Sequence, residues 1–156
     1  MKDSEEKIKV LYVDDEVNNL HAFKATFRRE YQIFLAESAD EARKILDEED
    51  IEIIITDQRM PNETGVEFLE SIIPPHPDPM RILLTGFTDI QAVIDAINKG
   101  QVYHYLTKPW EEDYMRTVVK NAFEVFELRR KNAQLTKSLL KANDQLEFLL
   151  RQNLLS

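Results

Sequence analysis

Four short apolar runs in this chain each end on a polar or charged side chain. Residues 9–13 lead into Asp14 and Asp15, residues 51–56 into Asp57, residues 81–84 into Thr85, and residues 102–107 into Lys108 and Pro109. Runs of four to six residues rich in Ile, Val and Leu, separated by amphipathic segments of helix length, read as strands of a parallel α/β sheet. In such sheets ligands bind outside the carboxyl ends of the strands, which is where these polar residues fall. Three carboxylates, a hydroxyl and an ammonium are thereby expected to share one pocket.

The intervening segments support that alternation. Residues 17–30 read as a helix with Leu20, Phe23, Ala25 and Phe27 towards the core, and residues 31–36 as a further strand. Ser38 with Glu41 three residues on has capping-box spacing and opens a helix to about residue 49. Residues 51–56 are almost wholly apolar, as suits a central strand covered on both faces. After a loop at 58–62, a helix is predicted over 64–73. Pro74, Pro75, Pro77 and Pro79 then force a surface connection. A strand at 80–84 precedes a helix at 89–98, with Ile90, Val93, Ile94 and Ile97 on one face, and Gly100 suits its C-terminus. Pro109 sits where the next helix begins.

Residues 111–153 contain neither proline nor glycine, too long a stretch for a helix that only covers a small sheet. A heptad runs through its distal part, with Val125, Asn132, Leu139, Leu146 and Asn153 at a, and Leu128, Leu135, Ala142 and Leu149 at d. Asn at an a position favours a parallel dimer in fixed register, and Glu124 and Arg129 suit pairing across strands. The predicted organisation is one α/β domain at 7–124 and a helical extension at 125–156, a parallel homodimeric coiled coil. The alternative is an amphipathic helix packed on its own domain or on one outside this sequence. A pattern that stops inside a heptad reads as a piece of something longer.

Composition narrows the function classes. With 156 residues there is length for one well-buried core and an appendage, and 43% apolar with 31% charged residues is ordinary for a globular protein. Cysteine is absent, which removes disulfides and thiolate metal sites and fits a reducing, cytoplasmic setting. The first nine residues alternate charges, so no signal peptide is expected, and no run approaches the ~18–20 apolar residues that cross a bilayer. A net charge of −9 argues against direct nucleic-acid binding. Three glycines leave little room for a Gly-rich phosphate loop.

The chemistry of the pocket follows from its charges. Two carboxylates ~5 Å apart repel by about 3 kcal/mol at an effective dielectric near 20. Asp14, Asp15 and Asp57 together call for a cation, and an all-oxygen donor set completed by water points to Mg²⁺ rather than zinc or copper. Asp57 is then a carboxylate nucleophile towards phosphorus, Lys108 a point charge for one phosphoryl oxygen, and Thr85 a hydroxyl for another. The main-chain carbonyl of Arg59 is available to complete the metal shell. Singly, an Asp after a strand is ordinarily a turn or cap residue; their joint order carries the weight. His21, His76 and His104 are scattered, make no metal or triad spacing, and read as structural or solvated.

The stretches around Val13-Asp14-Asp15-Glu16, Thr56-Asp57-Gln58-Arg59-Met60-Pro61, Leu84-Thr85-Gly86 and Tyr105-Leu106-Thr107-Lys108-Pro109 closely resemble the receiver domain of bacterial two-component response regulators, over about residues 7–130. The resemblance implies a flavodoxin-like, doubly wound sheet of five parallel strands in order 2-1-3-4-5 with five flanking helices, the fifth extended as the coiled coil. It implies that Asp57 accepts a phosphoryl group from a sensor histidine kinase or phosphotransfer protein, with Asp15 holding Mg²⁺ directly and Asp14 largely through water. Thr85 and Tyr105 match the family's switch pair, which would rearrange on phosphorylation, alter the face of helix 4, strand 5 and helix 5, and so control an output domain or partner protein. Arg59, two residues beyond the acceptor, and Phe87, two beyond the threonine, are placed to restrict water and slow hydrolysis. The motifs look most like receivers attached to cyclic-dinucleotide enzymes, phosphatases or transcriptional activators. Beyond self-catalysed phosphoryl transfer and loss, no enzyme activity is expected. Two rivals stand beside this. A small phosphatase of haloacid-dehalogenase type shares the chemistry but wants a second Asp where Arg59 stands. A constitutive dimerisation module would carry the pocket as a vestige.

Overall fold

Alternation along the strands decides which side of the sheet each core residue joins. The computed structural model describes residues 6–155, of which the side chains of Phe87 and Leu155 lie outside the description. Five strands, β1 (Ile8–Val13), β2 (Tyr31–Ala36), β3 (Ile53–Asp57), β4 (Met80–Thr85) and β5 (His104–Thr107), pair in the order β2-β1-β3-β4-β5, every pair parallel. Between them run α1 (Val17–Phe27), α2 (Ala39–Glu48), α3 (Gly65–Ile72) and α4 (Ile90–Asn98), with α5 (Glu112–Leu155) last. The expected strand order and the long fifth helix are both present.

Val10 and Tyr12 of β1, Ile53 and Ile55 of β3, and Ile82 and Leu84 of β4 meet Leu20, Phe23 and Phe27 of α1 and Met115, Val119 and Ala122 of α5. Leu11, Val13, Ile54 and Leu83 point to the other face, against α2, α3 and α4. All of β3 is buried, the signature of a central parallel strand, and removing each Ile from water is worth about 1.5–3 kcal/mol.

Helix starts are capped as the side chains require. Ser38 Oγ accepts from the Glu41 amide at 3.1 Å, while the Glu41 carboxylate accepts from the Glu37 amide rather than from Ser38. The complete capping box is at Thr64, whose Oγ1 accepts from the Glu67 amide and whose own amide donates to Glu67 Oε1. Gly100 ends α4 with φ +74°, a conformation that suits glycine.

Several sequence expectations shift. α1 ends at Phe27, three residues early, and Glu30 folds back to the Phe27 carbonyl. Ala25 faces solvent, because Leu20, Phe23 and Phe27 define the buried stripe and Ala25 lies about 200° round from Phe23. In α4 the core positions are Val93 and Ala96, and Ile94 is exposed; a 3-10 turn over Phe87–Asp89 precedes the helix. β3 and β5 each begin two residues later than their apolar runs, since Ile51 and Val102 are buried without joining the ladder.

The chain divides into two compact units, Met1–Phe126 and Glu127–Ser156. Within the first, α5 buries Met115, Val118, Val119, Ala122, Phe123 and Phe126. The second is helical to Leu155, with Leu128, Leu135, Leu139, Leu146 and Leu149 all exposed. No helix among the described residues is long and apolar enough to cross a membrane.

Candidate functional site

Strand register, rather than any local motif, gathers the polar residues. Val13 lies beside Thr56, Asp57 beside Leu84, and Thr85 beside Thr107. The next residue along each strand therefore emerges at one rim. Main-chain bonds continue the ladder there, from Asp14 N to Ala36 O at 3.1 Å, Gln58 N to Leu84 O at 2.9 Å and Lys108 N to Thr85 O at 3.0 Å.

Carboxylate oxygens of Asp14, Asp15 and Asp57 lie within 4.8 Å of one another. Each pair of charges at that spacing repels by about 3 kcal/mol at an effective dielectric near 20. Lys108 Nζ approaches Asp57 Oδ1 at 2.7 Å, with the Asp57 side chain 8% exposed. Asp14 is fully buried, and its Oδ1 and Oδ2 accept from the Glu16 amide and the Asn19 side chain, each at 3.0 Å. Burial pushes the Asp14 carboxyl above the usual carboxylate range, the Asp57 charge adds to the rise, and the Glu16 and Asn19 donors and Lys108 oppose it. Asp15 is exposed at the mouth. The donor set is all oxygen and partly desolvated, which fits a hard divalent cation keeping several waters.

Thr85 is fully buried, and its hydroxyl donates to the Gly86 carbonyl at 3.1 Å. Tyr105 is half-buried, packed at the margin of the core cluster beneath α2, α3 and α4, with the His104 ring 6.0 Å away. Arg59 directs its guanidinium to the turn before α4, donating from Nε to Asp89 Oδ2 at 2.9 Å and from a terminal nitrogen to Thr88 Oγ1 at 2.7 Å. The expected lid of Arg59 and Phe87 falls partly on the Phe87 side chain, which lies outside the description. The histidines stand apart from this rim: His76 meets Asp47 at 2.9 Å, His104 meets Tyr114 at 3.3 Å, and His21 is exposed.

Four residues that the sequence reading missed shape the site. Asn19 holds Asp14 from the first turn of α1. Gln58 pins the loop after β3, its side-chain oxygen accepting from Val66 N at 2.9 Å and its carbonyl from Gly65 N at 3.0 Å. Gly65 lies so close that a Cβ there would stand 2.3 Å from the Asp57 carbonyl oxygen. Tyr12 shares a strand face with Asp14, stacks on Phe23 at 4.2 Å, and has its phenol pushed upward by burial and then by the Asp14 charge. With Asn19, Ala22, Lys108, Pro109 and Trp110 it lines an open cleft of about 440 Å³. Only Tyr12 carried a legible signal, its two-residue spacing from Asp14.

Comparison with known proteins agrees with this fold. The family model described as the response regulator receiver domain matches residues 10–120. The hydrogenase transcriptional regulatory protein HoxA of Cupriavidus necator is 38% identical over 121 residues, and that of Bradyrhizobium diazoefficiens 35%, each alignment covering 78% of this chain and 25% of the relative. This chain therefore spans about a quarter of the length of those curated relatives. A crystal structure of a response regulator receiver domain protein from Clostridium thermocellum superposes with a TM-score of 0.73 at 30% identity, covering 78% of this chain and 98% of that one.

Proposed function

The chain belongs to the response regulator receiver domain family and to two-component phosphorelay signalling, and on that premise we propose that Asp57 is its phosphoacceptor. The observation that carries most weight is the Lys108–Asp57 pair at 2.7 Å beside two further carboxylates within 4.8 Å. An Asp57 carboxylate oxygen attacks phosphorus, the bond from phosphorus to the donor imidazole breaks, and the electron pair leaves with that nitrogen, which takes its proton from solvent. Lys108 then exchanges the carboxylate for a phosphoryl oxygen, and Thr85 turns its hydroxyl from Gly86 to another. Mg²⁺ held by Asp14, Asp15, Asp57 and the main-chain carbonyl of Arg59 would cancel charge between carboxylates and phosphoryl group.

The space vacated by the Thr85 hydroxyl admits Tyr105, and the face of α4, β5 and α5 changes with it. The donor is a sensor histidine kinase or a phosphotransfer protein. The relatives named as transcriptional regulators support an output in gene control, through a domain or partner protein. The exposed heptad leucines and Asn132 support a parallel homodimer through the distal part of α5, because in-register pairing lets the two Asn132 side chains satisfy each other. This is a signalling module; the phosphatase alternative has no support in the relatives, and Arg59 occupies the position of its second acid.

Labelling with acetyl phosphate tests the assignment. One Mg²⁺-dependent phosphoryl group per chain is expected, lost in Asp57→Asn. Full labelling of that variant, or catalytic turnover of a generic phosphoester, would refute it. Light scattering with and without beryllofluoride and Mg²⁺ reports whether the loaded site changes the oligomeric state.

A further inference from the structure

Arg59 joins the two chain segments that flank the acidic rim. Its backbone follows the acceptor strand by two residues, while its guanidinium grips Asp89 at 2.9 Å and Thr88 at 2.7 Å. Thr88 and Asp89 belong to the 3-10 turn over Phe87–Asp89, which begins two residues after the buried Thr85. The Thr85 hydroxyl, bonded to the Gly86 carbonyl, faces its own backbone and has to reorient to meet a phosphoryl oxygen at Asp57. One side chain thus holds the segment that must move, from the loop where the new charge arrives.

We propose that Arg59 is an exchange clasp: it restrains the turn behind Thr85 in the unloaded protein and transfers to the phosphoryl group once Asp57 is loaded. The inference rests on the phosphoacceptor reading above. A guanidinium fork matches phosphoryl oxygens at least as well as a carboxylate, and a phosphoryl dianion carries more charge than Asp89. The Arg59 side chain is 72% exposed, so its grip on Asp89 is weak enough to be exchanged. Transfer frees Thr88 and Asp89 in the same step that satisfies the phosphoryl group. Loading and release of the turn become one equilibrium, set by which partner Arg59 holds.

Beryllofluoride affinity in the presence of Mg²⁺, measured on the full chain, tests this through a double-mutant cycle. Asp89→Asn removes the competitor for Arg59 and should tighten binding by about threefold, the scale of an exposed ion pair. Arg59→Ala should weaken binding, Arg59→Lys should lie between, and Asp89→Asn added to Arg59→Ala should change nothing further. Thermal melts confirm that each variant is folded. If Asp89→Asn leaves affinity unchanged or lowers it, the clasp is refuted. An equal gain from Asp89→Asn with Arg59 absent refutes it too, since simple relief of negative charge then accounts for the effect. Failure of the unmutated chain to bind beryllofluoride at all overturns the phosphoacceptor reading and the clasp with it.

Discussion

The two stretches of α5 are built from similar side chains and meet opposite surroundings. Met115, Val118, Val119, Ala122, Phe123 and Phe126 are each no more than 9% exposed, whereas Leu128, Leu135, Leu139, Leu146 and Leu149 are each at least 54% exposed. In the first unit the apolar stripe is matched by strands that bury it within the same chain. In the second, an equally regular stripe has no such cover among the described residues. Most helical stability in proteins comes from packing an amphipathic face, and the distal stripe has no packing partner of that kind among the described residues. A receiver with its own buried core is thus followed by a helix whose apolar stripe is left open.

The sharpest way to break the contrast is to remove one large apolar side chain from each unit. Phe23→Ala, deleting a ring that stacks on Tyr12 and touches Phe27 and Trp110, should cost the receiver about 4 kcal/mol in urea unfolding. Leu139→Ala combined with Leu146→Ala should leave the receiver transition within about 0.5 kcal/mol, while abolishing self-association in sedimentation. A large loss of receiver stability in the second protein would mean that the distal stripe is already buried.

A smaller effect belongs to the joint between core and site. Gly65→Ala pushes a Cβ against the Asp57 carbonyl and the Leu83 side chain, which must shift. It should destabilise the receiver by about 2 kcal/mol and impair acetyl phosphate labelling of Asp57, whereas Ala142→Gly in the distal helix should cost about 1 kcal/mol of helix stability and leave labelling untouched.

The mildest effect is electrostatic. A carboxyl whose folded pKa exceeds its unfolded value lowers stability when ionised, fully so above the folded pKa and not at all below the unfolded one. Asp14 is raised by burial, so Asp14→Asn should stabilise the metal-free receiver at pH 7, read as a higher urea midpoint. The advantage should vanish as pH falls from the raised folded value to the ordinary carboxylate range. Mg²⁺ binding to the unmutated chain, followed by titration calorimetry, should weaken over the same interval.

Much of this was readable before any coordinates. Four apolar runs, each closed by a polar residue, sufficed to anticipate a parallel sheet with a carboxylate cluster at its strand ends. The resemblance to receivers anticipated the strand order. The failures have two causes. Ala25 and Ile94 are apolar residues whose angular position, set by the neighbours that define the buried stripe, turns them to solvent. Ile51 and Val102 are buried by packing yet lie outside the ladder, so apolar runs overstate strand length.

Residue type and spacing alone were enough to single out Asp14, Asp15, Asp57, Thr85 and Lys108 as polar residues closing apolar runs, and the three carboxylates and Lys108 do come together. Asn19, Gln58, Gly65 and the partners of Arg59 were invisible in one dimension. Their roles depend on distances across the fold: 3.0 Å to the Asp14 carboxylate, 2.3 Å from a notional Cβ to the Asp57 carbonyl, and 2.9 Å to Asp89, thirty residues along the chain. Chemistry is a property of side chains and shows in the letters, whereas support is a property of contacts and exists only once the chain has closed on itself.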